Sequence, residues 1–182
     1  LVQHAPRQAQ AWLTLATIRR VQGRYRESNA ACRALAAAIN GTYAAACLAE
    51  NEGLEGRFDA ARSILARLVA APGLAPETGN WLLTTLAELE ARAGNAAAAE
   101  SDYRTALALH RDPYTLISYA DFLLEHGRDA DVIALLHGQP RSDAVLLRLA
   151  IAGTRARTPA GARDASEMRE RIALANERPD VR

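Results

Sequence analysis

Residues 12–35 read WLTLATIRRVQGRYRESNAACRAL, and they predict a pair of helices joined by a tight turn. Apolar and small residues recur three and four positions apart on both sides of Gly23, which places them on one stripe of each helix. Gly23 ends the first helix, because glycine adopts positive φ without a Cβ clash. One hairpin cannot bury the apolar stripes of both its helices, so we expect several hairpins to stack.

The same pattern recurs three more times along the chain. The turn glycines are Gly23, Gly56, Gly94 and Gly127, which are separated by 33, 38 and 33 residues. The longer interval holds the Pro- and Gly-rich stretch APGLAP at 71–76, which takes up the extra residues in a loop. A small alanine stands seven residues before each turn glycine and allows the second helix to approach closely; these alanines are Ala16, Ala49, Ala87 and Ala120.

These positions resemble the tetratricopeptide repeat (TPR) family over about residues 8–137. The first repeat carries the signature residues Trp12, Leu15, Ala16, Gly23 and Tyr25. The next two repeats carry Gly56, Phe58 and Ala61, and then Gly94, Ala99, Tyr103 and Ala106. The resemblance implies an all-α fold, a right-handed α-α superhelix (solenoid) of about five helix hairpins.

The chain departs from the family pattern in three ways. Where the family has a large aromatic residue late in the first helix, this chain has Arg19, Glu52 and Glu90. The usual proline after the second helix is absent from the first repeat, although Pro113 follows the third. The second helix of the fourth repeat is short, because the stretch 138–140 (GQP) stops it.

The repeats divide the chain into two expected parts. Residues 1–137 form a TPR-like array of about four hairpins, and residues 138–182 form a degenerate fifth hairpin with C-terminal capping helices. Ser142 caps a helix that runs through Ala152, the stretch 158–161 (TPAG) breaks the chain, and a polar helix follows to about Asn176. The charged last helix suits an end cap with a solvated outer face. The alternative is a helix that lacks its next neighbour in a longer parent chain.

The charge balance of the chain argues against nucleic acid as a partner. Among 182 residues there are 22 basic and 21 acidic side chains, so the net charge is +1. Every basic residue of this set is arginine, which excludes chemistry that depends on lysine, such as a Schiff base or a phosphate-loop lysine. The arginines are dispersed among acids and form no basic stripe with aromatic residues.

No stretch of the sequence is long and apolar enough for a membrane span, which needs about 20 residues. Residues 1–20 also lack the pattern of a signal peptide. Met168 is the only methionine, so Leu1 is not a natural translation start. We therefore expect the chain to be processed or to be part of a longer protein, and its compartment stays open.

The resemblance implies that the first helix of each repeat lines a concave groove. Two positions, seven residues apart, then recur on one helical face. The entry position is Gln10, Tyr43, Trp81 and Tyr114, and the middle position is Thr17, Glu50, Glu88 and Asp121. Aromatic anchors with a polar surround are typical of binding hot spots. The alternative is that the aromatic residues only cover helix starts and that the acids form a solvated face.

This face predicts a non-catalytic module that binds a protein or a peptide. Tyr43, Trp81 and Tyr114 are the expected anchors, and Glu50, Glu88 and Asp121 set the charge preference. Thr17 completes the partner-binding set. A carboxylate ligand meets like charge there, which disfavours it. The alternative function is a structural spacer or a self-association element, and so a homo-oligomer, within a larger and exported bacterial assembly. A third possible role is regulation of an enzyme partner, and the sequence alone does not distinguish this role from the binding of any other protein.

The sequence carries no pattern of an enzyme, a metal site or a bound cofactor. No serine lies in a nucleophile-elbow motif, and no Gly-rich phosphate loop is present. No two histidines have the i, i+4 spacing of a helical zinc site. Three histidines instead stand at predicted helix C-termini, where the helix dipole favours them: His110, His126 and His137.

The two cysteines, Cys32 and Cys47, lie almost symmetrically about the predicted turn at Asn40 and Gly41. In an antiparallel pair of helices they stand at similar heights, and both have an alanine neighbour, so the backbones can come within disulfide range. A disulfide favours a periplasmic or exported protein, and two buried thiols suit a cytoplasmic one. Both alternatives stay open at this point.

Overall fold

The computed structural model describes residues 9–38 and 41–177, and these residues form ten helices and no strand. The helices are α1 (Ala9–Val21), α2 (Tyr25–Ala38), α3 (Gly41–Leu54), α4 (Phe58–Val69), α5 (Pro76–Arg92), α6 (Ala96–Leu109), α7 (Pro113–Glu125), α8 (Asp129–Leu136), α9 (Asp143–Arg155) and α10 (Pro159–Glu177). Among these ten, none combines the length and the hydropathy that crossing a bilayer requires.

The chain divides into two compact units, Leu1–Arg111 and Asp112–Arg182. The N-terminal unit holds the hairpins α1/α2, α3/α4 and α5/α6, and the C-terminal unit holds α7/α8 and α9/α10. Within each unit, consecutive helices pack against one another. The fold class is therefore the predicted one, an all-α solenoid of helix hairpins. This division of the chain falls between residues 111 and 112. The domain boundary that the sequence predicts at residue 137 stays a prediction.

The four predicted turn glycines each end a first helix with positive φ, between +67° and +84°. A side chain in this left-handed region crowds the following carbonyl oxygen, which explains why glycine recurs there. The fifth hairpin has Arg157 at the corresponding turn, with φ +54°. The turn predicted at Asn40 lies outside the described residues.

The four predicted crossing alanines have no exposed surface: Ala16, Ala49, Ala87 and Ala120. Their small side chains allow the two helices of each hairpin to lie close together, as the spacing predicts. In the N-terminal unit, a buried cluster joins the second and third hairpins through leucines of α4 and α5, among them Leu65, Leu82 and Leu89. This cluster fixes the position of α5 against α3/α4.

The last hairpin is closed by two glycines that touch. Gly153 of α9 and Gly161 of α10 are both buried, and a Cβ atom on either one would overlap the backbone of the other. The sequence suggests a chain break at 158–161, but the turn ends at Thr158 and Gly161 lies in the first turn of α10. The backbone N–H of Gly161 donates to Thr158 Oγ1 at 3.0 Å. Ser142 caps α9 as predicted, by accepting from Val145 N.

Candidate functional site

The first helices of the N-terminal unit, α1, α3 and α5, pack side by side, α1 on α3 and α3 on α5. They carry five of the residues that the sequence predicts for partner binding. We call the side of these helices that carries them the first-helix face; it is defined by Thr17, Tyr43, Glu50, Trp81 and Glu88.

An aromatic pair lies at one end of the first-helix face. The rings of Tyr43 and Trp81 have centroids 5.1 Å apart and planes inclined by 30°, an offset arrangement that aromatic pairs favour. The Tyr43 hydroxyl is 3.3 Å from Thr78 Oγ1. Trp81 also packs against the buried leucine cluster of the second and third hairpins. Both rings are half-buried, so each presents only part of its surface to solvent.

A charged cluster lies at the other end of the same face. Arg20 of α1 reaches across to α3, where its Nη1 is 2.7 Å from Glu50 Oε2. Its Nε donates to Asn51 Oδ1 at 2.8 Å, and its Nη2 donates to the carbonyl oxygen of Cys47 at 3.4 Å. The guanidinium therefore ties the first two hairpins together at three points.

The electrostatics of Glu50 reflect its partial burial. Desolvation raises the pKa of the Glu50 carboxyl above its ordinary value, and the ion pair and hydrogen bond with Arg20 oppose that rise. The negative charge of Glu88 raises this pKa further, whereas Arg92 lowers it. The carboxylate of Glu50 thus lies in the field of one further acid and of two arginines, whose effects on its pKa are opposite in sign.

A buried polar network lies beneath Arg20. The Asn51 amide nitrogen donates to Ser28 Oγ at 2.9 Å and to Asn29 Oδ1 at 2.7 Å, which joins α3 to α2. Ser28 in turn donates to the carbonyl oxygen of Ala16 at 2.9 Å. Asn51 and Ser28 are fully buried, so these hydrogen bonds satisfy groups that water cannot reach.

The two cysteines meet beside this network. In the structure Cys32 of α2 and Cys47 of α3 form a disulfide, with their Cα atoms 5.6 Å apart and both side chains buried. The bond links the first hairpin to the second on the side where Arg20 also crosses. That the bond forms in the protein as isolated stays a prediction.

Thr17 contributes little chemistry to the first-helix face. Its side chain is exposed, and its hydroxyl donates to the carbonyl oxygen of Leu13 at 3.0 Å, one turn back in α1. A threonine bonded to its own helix has less capacity for a partner.

The two remaining predicted residues lie on α7, in the C-terminal unit. Tyr114 is 61% exposed in the first turn of this helix, after the N-cap Asp112, which accepts from Tyr114 N at 2.8 Å. Asp121 is held by Arg148 of α9 through a bidentate pair, with Nε and Nη2 at 2.8 and 2.6 Å from the two carboxylate oxygens. Glu50 and Asp121 therefore each form an ion pair within the chain.

Sequence reasoning missed a second charged cluster, centred on Glu90. This carboxylate is buried and accepts from Arg62 of α4 through both of its oxygens. Asn95 in the following turn donates to Glu90 Oε2 at 2.6 Å. Hydrogen bonding to Arg62 holds the pKa of the Glu90 carboxyl below its ordinary value, against the effect of burial.

The signal for this cluster was present in the departure from the family pattern. Glu90 occupies a position where the TPR family has a large aromatic residue, and so do Arg19 and Glu52. Arg19 pairs with Glu27 at 3.2 Å, and Glu52 accepts from Arg57. At all three positions, an ion pair takes the place of the aromatic residue.

Asp102 of α6 is a carboxylate in surroundings that disfavour its charged form. It forms no ion pair with any residue of 9–38 or 41–177. Burial, together with the negative charge of Glu90, raises the pKa of Asp102 from 3.8 to about 6. The native state therefore holds this proton more tightly than the unfolded chain does, and stability falls as the pH rises from about 4 to about 6.

Replacing Asp102 with Asn is expected to stabilise the protein at pH 7 and above by about 1–2 kcal/mol, after allowance for solvent screening. Near pH 3.5 the wild-type side chain is already protonated, so the two proteins should have the same free energy of unfolding. Urea denaturation across this pH range measures the difference. Glu170→Gln, at an exposed position of α10, is the control, and a gain that is equal at both pH values would contradict the assignment.

The histidines take up the positions that the sequence predicts for them. His110, His126 and His137 are the C-cap residues of α6, α7 and α8. His126 lies against the Phe122 ring and within 2.7 Å of the Phe122 carbonyl oxygen. Within residues 9–38 and 41–177, no three His, Cys, Asp or Glu side chains converge as they would around a metal ion.

Comparison with known proteins supports the fold. No protein-family model and no curated protein matches this chain. A solved structure described as "Functional Characterization of Pseudomonas Aeruginosa pilF" superposes with a TM-score of 0.62 over 93% of this chain and 78% of that chain. The two sequences are 15% identical, so the likeness concerns the fold alone. With the ten helices of the described residues, it supports an all-α solenoid of helix hairpins.

Proposed function

We propose that this chain is a non-catalytic protein-interaction module that holds a peptide or a partner surface on the first-helix face. The observation that supports this best is the Tyr43–Trp81 pair, which leaves aromatic surface at the edge of a packed core, on a face whose other end is charged. Tyrosine, tryptophan and arginine carry most of the binding energy at interfaces. A TPR-like solenoid supports the same proposal, because stacked hairpins present extended binding surfaces.

The ion pairs refine the chemistry of the expected ligand. Because Arg20 pairs with Glu50 and Arg148 pairs with Asp121, the predicted acids do not form a row of unpaired negative charges. We therefore expect apolar contact with the two rings to contribute more affinity than net charge. Charge at this face then acts on specificity and on the rate of association.

A structural spacer is the second candidate, and one observation favours it. Trp81 is packed against the leucine cluster, so part of its surface serves the stacking of the second and third hairpins. If this is its whole role, the first-helix face has no ligand, and the array acts by holding other parts of an assembly apart.

A ring-replacement variant separates these two candidates. Tyr43→Leu with Trp81→Leu keeps apolar volume against the core and removes both rings. Wild-type protein is expected to capture a partner from extracts of its source cells, and the variant to bind that purified partner at least ~30-fold more weakly, the loss of one hot-spot residue. Pull-down with quantitative mass spectrometry and then titration measure the two effects.

The control variant places its changes on the second helices. Arg67→Ala with Thr105→Ala alters exposed positions of α4 and α6 and should bind as the wild type does. Circular dichroism and thermal unfolding verify that both variants fold. Equal capture by the wild type and the ring variant, or none by the wild type, contradicts the binding proposal and favours the spacer.

A further inference from the structure

A groove of about 400 Å³ lies between α9 and α10 in the C-terminal unit, and none of its lining residues belongs to the first-helix face. Its walls are mainly apolar: Leu147 and Ile151 line it from α9, and Ala165 and Met168 line it from α10. Leu147 is 41% exposed, although leucine in a helix of this fold is normally covered. The groove therefore leaves apolar surface in contact with solvent.

The spacing of these residues fits a helix as the occupant. Leu147 and Ile151 are four residues apart on α9, and Ala165, Met168 and Ile172 follow the i, i+3, i+7 pattern on α10. Ile172 extends the α10 row with 49% of its surface exposed. Two parallel rows of this kind form ridges between which the ridge of a third helix packs.

The rim of the groove is positively charged. Arg155 is at one edge; its side chain is 53% exposed, its Nη1 donates to the Leu124 carbonyl oxygen at 3.0 Å, and it forms a long ion pair with Asp129 at 3.8 Å. Arg169 is at the other edge, exposed and without an ion pair among the described residues. Other side chains of the unit hold the α10 carboxylates: Asp164 by Arg141, Glu167 by Arg141 and Arg171, and Glu170 by Ser166.

We propose that this groove docks an amphipathic helix of a partner protein, one whose apolar ridge is flanked by Asp or Glu residues. The ridge fills the space between Leu147 and Met168, and the flanking carboxylates pair with Arg155 and Arg169. A second copy of this chain is a poorer occupant through α1, because that helix has exposed apolar residues but contains no acid and carries two arginines in its last turn.

Synthetic helical peptides test the proposal with the full chain. The probe is a fluorescently labelled peptide of about 18 residues, five helical turns, with a leucine ridge flanked by glutamates. One comparison peptide has lysines in place of the glutamates, and another has serines in place of the leucines. Fluorescence anisotropy should show that the glutamate peptide binds at least ~10-fold more tightly than the lysine peptide, less so at high salt. The serine peptide should not bind.

Variants of the groove connect that preference to named residues. Arg155→Glu with Arg169→Glu should reverse the preference, so that the lysine peptide binds more tightly. Arg169→Glu alone breaks no bond among the described residues, and it should weaken the preference even if the double variant does not fold. Ile151→Ser should weaken binding of both charged peptides. Arg163→Glu, exposed on α10 outside the groove lining, is the matched control and should change nothing.

Three results would overturn the proposal. The first is equal affinity for the glutamate and lysine peptides, and the second is a preference that survives both charge-reversal variants. The third is a dimer in sedimentation velocity that Ile151→Ser dissociates, because the groove then belongs to a contact between two copies of this chain.

Discussion

Gly161→Ala is expected to destabilise the α9/α10 hairpin by about 3 kcal/mol or more, the upper range for overpacking a closely packed contact. The added methyl group would overlap the backbone of Gly153, and backbone atoms cannot move aside as the end of a flexible side chain can. Relief requires α9 and α10 to separate, which also pulls on the Thr158 cap and on the contacts of Arg141 with α10.

Urea denaturation followed by circular dichroism measures the loss, and Gly41→Ala is its matched control. Gly41 begins α3, has no positive φ, and has no other group within 4 Å of the place that an added methyl group would take. Alanine there should be neutral or stabilising by up to ~1 kcal/mol, because it favours the helix and restricts the unfolded chain. If both variants are as stable as the wild type, the two helices do not touch at Gly153 and Gly161.

Replacing Cys32 and Cys47 together with alanine is expected to cost about 3 kcal/mol, the loop-closure contribution of a disulfide that spans 15 residues. Alanine fills most of each buried site and adds no polar group. The wild-type protein in a thiol reductant should lose about the same free energy of unfolding as the variant does, whereas the reductant should not affect the variant.

Mass spectrometry gives the direct test of the bond. Digestion without reduction should release the two cysteine peptides joined, lighter by two hydrogen atoms than their separate sum. Alkylation of both thiols in the unreduced, denatured wild type would falsify the disulfide. The reductant would then have no effect on the stability of the wild type.

The parts of the fold that sequence could predict depend on local chain geometry. A positive φ at Gly23 or Gly94, a buried alanine seven residues earlier, and a serine cap at Ser142 are all properties of one helix end or one helix crossing. Each has a residue preference strong enough to be read at a fixed spacing. The histidine C-caps could be predicted for the same reason.

The pairing of charges could not be predicted in the same way. An arginine side chain reaches several ångströms in many directions, so its partner depends on where the next hairpin lies. The sequence shows that Arg20 lies one turn after Thr17 of the expected groove, but only the packed structure shows that it contacts both Glu50 and Asn51. The bidentate pair of Arg148 with Asp121 links residues 27 positions apart, beyond any local pattern.

The glycines of the last hairpin show a further limit of local reasoning. Gly161 closely follows a threonine and a proline, which is the sequence signature of a loop. A glycine, however, suits a close helix crossing as well as it suits a loop. The distinction depends on Gly153, eight residues earlier, which has no turn signal around it. Likewise, the periodicity placed Trp81 on the binding face, but it could not show how much of the ring the neighbouring leucines cover.

Asn51 gives the hairpins a fixed order. Asn51 lies five residues before the turn glycine of the second hairpin, and Leu89 takes the same position in the third hairpin. Only the second hairpin therefore offers an amide to Arg20 and to the buried Ser28. If recombination within the gene moved the third hairpin next to the first, Ser28 and the guanidinium would face a leucine. Ser28 would keep its hydrogen bond to the Ala16 carbonyl oxygen, but Ser28 and Arg20 would each lose the hydrogen bond to Asn51, at about 0.5–1.5 kcal/mol each. The repeats share their turn glycines and crossing alanines and so look interchangeable. At this junction, however, the first hairpin fits only the second hairpin as its neighbour.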